Sequence, residues 1–374
     1  MNKVFINQVG IWSCLGRTTA EVAVNLFNKK IGIKIDDARN YFISPLCGDV
    51  PEVDCPRRLS MSANYAIQSI IMQMHNLPKK LGMIYGNDSC IDSVVNWYKV
   101  LQDKQLNTRV TSEHLFKGLS SNINILLSEE LGINTINLSI GAACASSAHA
   151  IGLSYVLIKN GYVDSILTGG AQESSPISQA AFDSLRVFSK YGSRPFDESR
   201  DGLVPSGGAA SLLLQSYPES TTWGEIVGYG FSNNPSKANT NWKSLEECMS
   251  MALRDAGLEP KDIDYINAHA TGTYLGDREE AKAIYNLFGA NVPVTSTKAQ
   301  TGHEMWMCGA SEIIYSLLMA SRGVIVPQVS FIKGDSVTGL INIPTEEVHK
   351  DIKYIMSNSF GFGGTNCSLI IKRL

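Results

Sequence analysis

The run from Ile136 to Ile158, INLSIGAACASSAHAIGLSYVLI, constrains the fold more than any other stretch of the chain. Ile136, Leu138 and Ile140 alternate with polar residues at the period of a half-buried strand, and the run from Ala145 to Ile158 is long and apolar enough for a buried helix. Cys144 sits at the junction. A thiol there faces the free N–H groups and partial positive charge of a helix start, which favour thiolate over thiol. A cysteine among alanines is equally well read as a small buried hydrophobe. This stretch alone leaves both readings open.

Strand-like and helix-like patterns alternate through most of the chain, which favours an α/β protein. Strands are expected at 4–9, 81–85, 165–168, 209–215, 224–229, 263–268, 292–295, 324–329 and 368–371, and helices at 19–28, 61–74, 145–158, 244–256, 277–288 and 309–322. Asp277 with Glu280 makes a capping-box signature for the helix that Gly289 ends. Residues 87–130 are weakly periodic and read as a layer or loop excursion. The polar stretch from Arg186 to Gly208 reads as a solvated loop of the kind that borders a site. A second polar stretch at Ser216–Thr222 divides the chain into 1–217 and 218–374.

Its 374 residues suffice for two domains, or for two similar halves around one large core. A net charge of -3 gives no global pull toward nucleic acid or anionic membrane, so an acidic partner must meet a local basic patch. No apolar run approaches the roughly 20 residues of a membrane span. The N-terminus reads as a short strand rather than a signal peptide. None of the eight cysteines lies two to four residues from another, which argues against a zinc site and for reduced thiols in a cytoplasm.

Three further constellations place polar residues or glycines at strand ends. In NAHATGT, Asn267 to Thr273, His269 leaves a strand into a turn with two hydroxyls; a lone histidine there is often structural. In STKAQTGHE, Ser296 to Glu304, Lys298 and His303 precede a helix, as a surface cation and a capping residue also would. In NSFGFGGTN, Asn358 to Asn366, three glycines in four positions allow close backbone approach to a ligand, or simply a mobile loop. One cysteine at a helix start, two histidines in separate turns, a lysine and a glycine loop are together the parts for thioester chemistry with a stabilised enolate. His149 is set aside, because five positions along one helix turn it roughly 140° away from Cys144.

These stretches resemble the β-ketoacyl-acyl-carrier-protein synthases, condensing enzymes of the thiolase-like superfamily. AACASSAHAIG is similar to their nucleophile motif, NAHATGT to the first histidine motif, STKAQTGH to the lysine and second histidine motif, and NSFGFGGTN to the gating loop. SRPFDESRDGLV also matches, and SAHAIG, SGGAA and EIIYSLLM lean toward the elongating branch. The resemblance implies a thiolase-like α/β fold of two similar halves in an αβαβα arrangement. The N-terminal half would carry the nucleophilic cysteine, and the C-terminal half both histidines.

By resemblance, Cys144 is the acylated nucleophile, while His269 and His303 hold the extender's thioester carbonyl as it decarboxylates. Lys298 orients this site, paired with Glu312, and the backbone N–H groups of Cys144 and Phe362 form an oxyanion hole. Thr271 and Thr273 match phosphopantetheine-binding positions, Phe362 gates entry, and Phe182 and Phe360 border the acyl group. The reaction needs no resident cofactor or metal, since the phosphopantetheine arrives on an acyl carrier protein. Arg57, Arg58, Arg186, Lys190 and Arg194 are candidates for the basic rim that meets the carrier. A homodimer is implied, with a heterodimer of related subunits as the alternative.

The sequence departs from the family pattern at Ala270, where glycine is usual, and at Glu304, Met305, Trp306, Met307 and Cys308, where small residues are usual. Trp306 therefore becomes a candidate for shaping the acyl pocket. The chain is also short in residues 87–130 and between Arg186 and Arg194, which points toward a specialised polyketide or polyene pathway over the alternative of fatty-acid synthesis. Two other readings are a non-catalytic chain-length factor, which generally lacks the cysteine, and a degradative thiolase, which requires a second catalytic cysteine where only Cys367 is near.

Overall fold

A computed structural model describes residues 1–36, 41–48, 61–87, 118–172, 176–234 and 241–374, with a few positions between 95 and 102. Most of the weakly periodic 87–130 stretch, with Arg57 and Arg58, lies outside the described residues.

Ten strands form one sheet, numbered here in chain order: β1 (Phe5–Trp12), β2 (Gly82–Asn87), β3 (Asn137–Ile140), β4 (Ser165–Gln172), β5 (Gly208–Gln215), β6 (Gly224–Asn233), β7 (Tyr265–Asn267), β8 (Val294–Thr295), β9 (Tyr354–Phe360) and β10 (Thr365–Arg373). Their spatial order is β3-β2-β4-β5-β1-β6-β10-β9-β7-β8. Each strand of the first five has a counterpart five places on. In the first set β1 and β4 run antiparallel to β5, and β4-β2-β3 is parallel. In the second, β6 and β9 run antiparallel to β10, and β9-β7-β8 is parallel. Phe5 with Glu225 and Ile6 with Gly224 pair the sets, across β1 and β6. Two short ribbons, Lys34–Asp36 with Tyr41–Ile43 and Val324–Ile325 with Val348–His349, lie apart from this sheet.

The helices fall into three layers: α1 (Thr19–Phe27), α2 (Met61–Gln73), α3 (Asn122–Leu131), α4 (Ser146–Lys159), α5 (Pro176–Ser184), α6 (Trp242–Ala256), α7 (Tyr274–Phe288), α8 (Lys298–Thr301) and α9 (Cys308–Arg322). The layering follows from the period of two along each strand. In β2, Ile84 faces α4 and α9, whereas Met83 and Tyr85 face α2 and α3. In β5, Ala210, Leu212 and Leu214 face the central helices, and Ala209 and Leu213 the outer ones. In the second half, Tyr265 and Ile355 pack with α9, while Ile266 and Met356 pack with α6 and α7. Helices α4 and α9 are thus enclosed between the two half-sheets, with α2 and α3 outside one and α6 and α7 outside the other. This is the expected αβαβα arrangement.

Several sequence expectations change in the structure. Tyr354–Phe360, read partly as glycine loop, is a strand paired on both sides, so only Gly361–Gly364 remain as the loop. The strand expected over 324–329 is limited to Val324–Ile325. The capping box at Asp277 and Glu280 does not form; Thr273 is the N-cap residue, without a side-chain hydrogen bond, and both carboxylates turn inward. Within the polar stretch after Arg186, Leu203, Val204 and Ser206 are buried, not solvated.

Candidate active site

Cys144 lies in the turn between β3 and α4, two residues before the helix begins. Small residues are required because the turn is sharp and crowded. Ala143 adopts a left-handed φ of 46°. A Cβ on Gly86 of β2 would come within 2.4 Å of the Ser147 nitrogen, so glycine there lets the helix start sit directly on the strand. Ser146 Oγ accepts from the Ala142 N–H at 2.8 Å and donates to the Ala143 carbonyl at 2.6 Å, closing the turn. Cys144 is a free, buried thiol.

His303 reaches the thiol from the opposite half: its Nε2 is 3.1 Å from Cys144 Sγ. It follows α8 and Gly302, whose φ of 70° turns the chain. The polar stretch after Arg186 straps it in place: the His303 N–H donates to the Val204 carbonyl at 2.7 Å, and its carbonyl accepts from the Ser206 N–H at 2.9 Å. His269 lies just beyond β7, its ring centroid 5.3 Å from that of His303 and nearly perpendicular to it. The Cys144 sulfur and one nitrogen of each ring lie within 4.8 Å of one another. The Glu280 carboxylate fixes the His269 turn by accepting the backbone N–H groups of His269 and Ala270 at 2.8 and 2.7 Å. Asp277 accepts those of Phe196 and Gly272 at 2.7 and 3.1 Å.

Burial decides the protonation states. It pushes the Cys144 thiol up to about 11, against the opposing pull of the Phe362 N–H, Lys298 and its own N–H. The expectation that the helix start lowers this value is therefore not met, because desolvation outweighs the favourable dipoles. Burial, together with the Lys298 charge, holds both histidines well below their ordinary value, so both rings are neutral near pH 7. Lys298 and Glu312 form a fully buried ion pair. Burial works against the Lys298 charge, but Glu312 with Cys308 and Glu280 together outweigh it and raise the ammonium's pKa.

A cavity opens above the thiol, lined by Cys144, His269, His303, Thr271, Thr273 and Phe360 with Phe362 to Gly364 of the loop. Asn234, Ser244 and Asn366 add polar walls that the sequence reading missed, along with Asp277 and Glu280. Phe362 is half-exposed, and its ring lies 6.2 Å from that of Phe182, which also stacks on Phe188. Trp306 does not line this cavity; its backbone carbonyl abuts Gly170 of β4. Cys308, in the segment where the family has small residues, donates its thiol to the Cys144 carbonyl at 3.2 Å. Cys367, by contrast, is buried within β10. His149 turns away and bonds Tyr229 at 2.8 Å. Of the basic candidates, Arg186 and Lys190 are exposed, and Arg194 lies over the Tyr191 ring and bonds Ser199.

Comparison with known proteins identifies the family. The profiles described as β-ketoacyl synthase N-terminal and C-terminal domains match residues 67–220 and 223–332. A 3-oxoacyl-[acyl-carrier-protein] synthase 1 of Buchnera aphidicola is 34% identical over the full length of both chains. A β-ketoacyl synthase from Burkholderia phymatum superposes with a TM-score of 0.92 at 28% identity, all of both chains being covered. A chain from the complex of a Xenorhabdus doucetiae ketosynthase with its chain length factor superposes with a TM-score of 0.87 at 26% identity, covering 100% of this chain and 98% of that one. The chain belongs to the β-ketoacyl synthase family and is a carbon–carbon bond-forming acyltransferase.

Proposed function

We propose that this chain is a β-ketoacyl-acyl-carrier-protein synthase that condenses an acyl group held on Cys144 with malonyl carrier protein, in specialised polyketide or polyene synthesis. The observation that carries this reading is the 3.1 Å approach of His303 Nε2 to Cys144 Sγ, with a second neutral histidine beside it.

A thiol with its pKa near 11 is almost entirely protonated at neutral pH, so His303 takes the proton as sulfur attacks the acyl thioester. The first carrier leaves as its thiol. The extender's carbonyl oxygen then sits between His269 and His303. Two neutral imidazoles donating N–H to one oxygen stabilise the enolate formed when the C–CO2 bond breaks. The enolate carbon bonds to the acyl carbon, the C–S bond to Cys144 breaks, and the thiolate takes a proton from solvent, because the proton first held by Cys144 left with the first carrier's thiol. The acyl carbonyl, while tetrahedral, is held by the backbone N–H groups of Cys144 and Phe362. Thr271 and Thr273 take the phosphopantetheine arm, Phe362 gates its entry with Phe182 beside it, and no resident cofactor or metal takes part.

The bulky segment from Glu304 to Cys308 and the shortened excursions support the specialised pathway. Arg186, exposed four residues after Phe182, supports carrier docking at this mouth. The edge strand β3, with Leu138 41% exposed, supports pairing with a second copy of the chain in the cytoplasm. The repeated strand order supports a division near residues 217 and 218, between β5 and β6. Retention of the cysteine, both histidines and Lys298 weighs against a chain-length factor.

The deciding experiment is intact-protein mass spectrometry after incubation with acyl-loaded carrier from the same organism. An acyl adduct confined to Cys144, discharged by malonyl carrier into a product two carbons longer, supports the reading. No adduct on Cys144 overturns it.

A further inference from the structure

Glu304 follows His303 directly, and its side chain is buried. Ser311 Oγ donates to one carboxyl oxygen at 2.5 Å and the Tyr315 hydroxyl to the other at 2.7 Å. Beside it stand Lys298 from α8, Glu312, Cys308 and Tyr315 from α9, and Cys14 from the segment after β1. The protein therefore encloses two carboxyl groups, Glu304 and Glu312, near one ammonium, which pairs directly with Glu312.

An uncompensated buried ion costs several kcal/mol even after relaxation, so two carboxylates against one ammonium is an unfavourable arrangement. One retained proton balances Glu304, Glu312 and Lys298 among themselves, with Glu280 of α7 also facing Lys298. Glu312 is paired directly with Lys298, whereas the partners of Glu304 are hydroxyls, which can accept as well as donate. The proton therefore belongs on Glu304. Burial pushes both carboxyls up to about 7; Ser311, Tyr315 and Lys298 oppose it at Glu304, and Lys298 opposes it at Glu312 through its charge and a direct hydrogen bond, so the ion pair favours keeping Glu312 ionised.

We propose that Glu304 is a positioning residue that holds one proton inside the Lys298–Glu312 cluster, so that no unpaired negative charge stands beside His303 while the extender enolate forms. This rests on the condensing function proposed above. Ionising Glu304 adds a negative charge to the site that must stabilise another. Its pKa is raised, so the proton is present below neutrality and lost as pH rises. Condensation accordingly falls on the alkaline side.

The test measures carbon dioxide release from malonyl carrier by pre-acylated enzyme from pH 5.5 to 9, for the wild type and Glu304→Gln. The amide mimics the protonated acid. The expected result is an alkaline limb moved up by at least one pH unit, with the variant about tenfold faster than wild type at pH 9. A purely structural role would lower the rate by one factor at every pH and leave the limb in place, which overturns the inference. The paired Ser311→Ala and Tyr315→Phe variant checks it independently, because removing both donors raises the Glu304 pKa further and must also move the limb up. A wild type without condensation at any pH overturns the functional reading as well, whereas condensation with a limb indifferent to both variants overturns this inference alone.

Discussion

Glu280 and His269 are joined through the backbone: the carboxylate on α7 accepts the His269 N–H at 2.8 Å and, with its second oxygen, the Ala270 N–H at 2.7 Å. A carboxylate is acceptor-only at both oxygens, so it alone satisfies two adjacent donors in this turn. In Glu280→Gln one N–H faces an NH2 group. The expected outcome is a loss of about tenfold or more in condensation through displacement of His269, with acyl transfer to Cys144 less affected. Parallel assays of the two half-reactions check this.

The buried thiol predicts the pH dependence of its alkylation. With the Cys144 pKa pushed up to about 11, inactivation by iodoacetamide in the absence of substrate should rise about tenfold per pH unit between pH 7 and 9, following thiolate. A plateau near pH 7 would show a preformed thiolate–imidazolium pair instead. Cys144→Ala should abolish acylation by acyl carrier protein altogether.

In the mechanism proposed above, His303→Ala removes one of the two N–H donors to the enolate oxygen. Release of labelled carbon dioxide from malonyl carrier should fall on the order of 100-fold or more. Retention of the wild-type rate would assign decarboxylation to His269 alone.

Carrier docking at the cavity mouth predicts that Arg186→Glu weakens apparent affinity for acyl carrier protein and reduces its dependence on salt, leaving Cys144 alkylation unchanged. Titration of the carrier at two ionic strengths measures both effects. Equal affinity in the variant would remove Arg186 from this role.

Stability concentrates where the halves are braced. The Arg200 guanidinium is fully buried, donates to the Asp197 and Tyr274 carbonyls at 2.8 Å and pairs with Asp335 at 2.8 Å, with Asp277 3.9 Å away. Arg200→Ala leaves acceptors and a buried carboxyl without their cation and should cost about 3–5 kcal/mol, measurable by urea unfolding. Burial pushes Asp335 up, but the Val337 and Thr338 N–H groups and Arg200 outweigh it and hold the carboxyl at about 2. Its contribution to stability is thus present above the ordinary carboxylate range and disappears as pH falls toward 2.

The strands and helices with regular apolar spacing were legible in the sequence, and so were the four motifs, because local backbone needs and chemistry coincide there. The strand Tyr354–Phe360 was less so: Ser357, Asn358 and Ser359 are buried, so its polarity hides its pairing with β7 and β10. Asp277 and Glu280 look like a capping box in one dimension, yet each finds backbone donors in another segment. Nothing near Leu203 announces that Val204 and Ser206 hold His303.

The sequence by itself determined the class of fold, through the strand, small-residue turn and helix around Cys144 and the repeated pattern after it, because periodicity and glycine placement are local properties. The tertiary structure decided which groups meet: His303 at 3.1 Å from the thiol, Glu280 under His269, and Glu304 enclosed beside Lys298 and Glu312. It also decided that the thiol is raised rather than lowered, since desolvation depends on what the other half of the chain places over it.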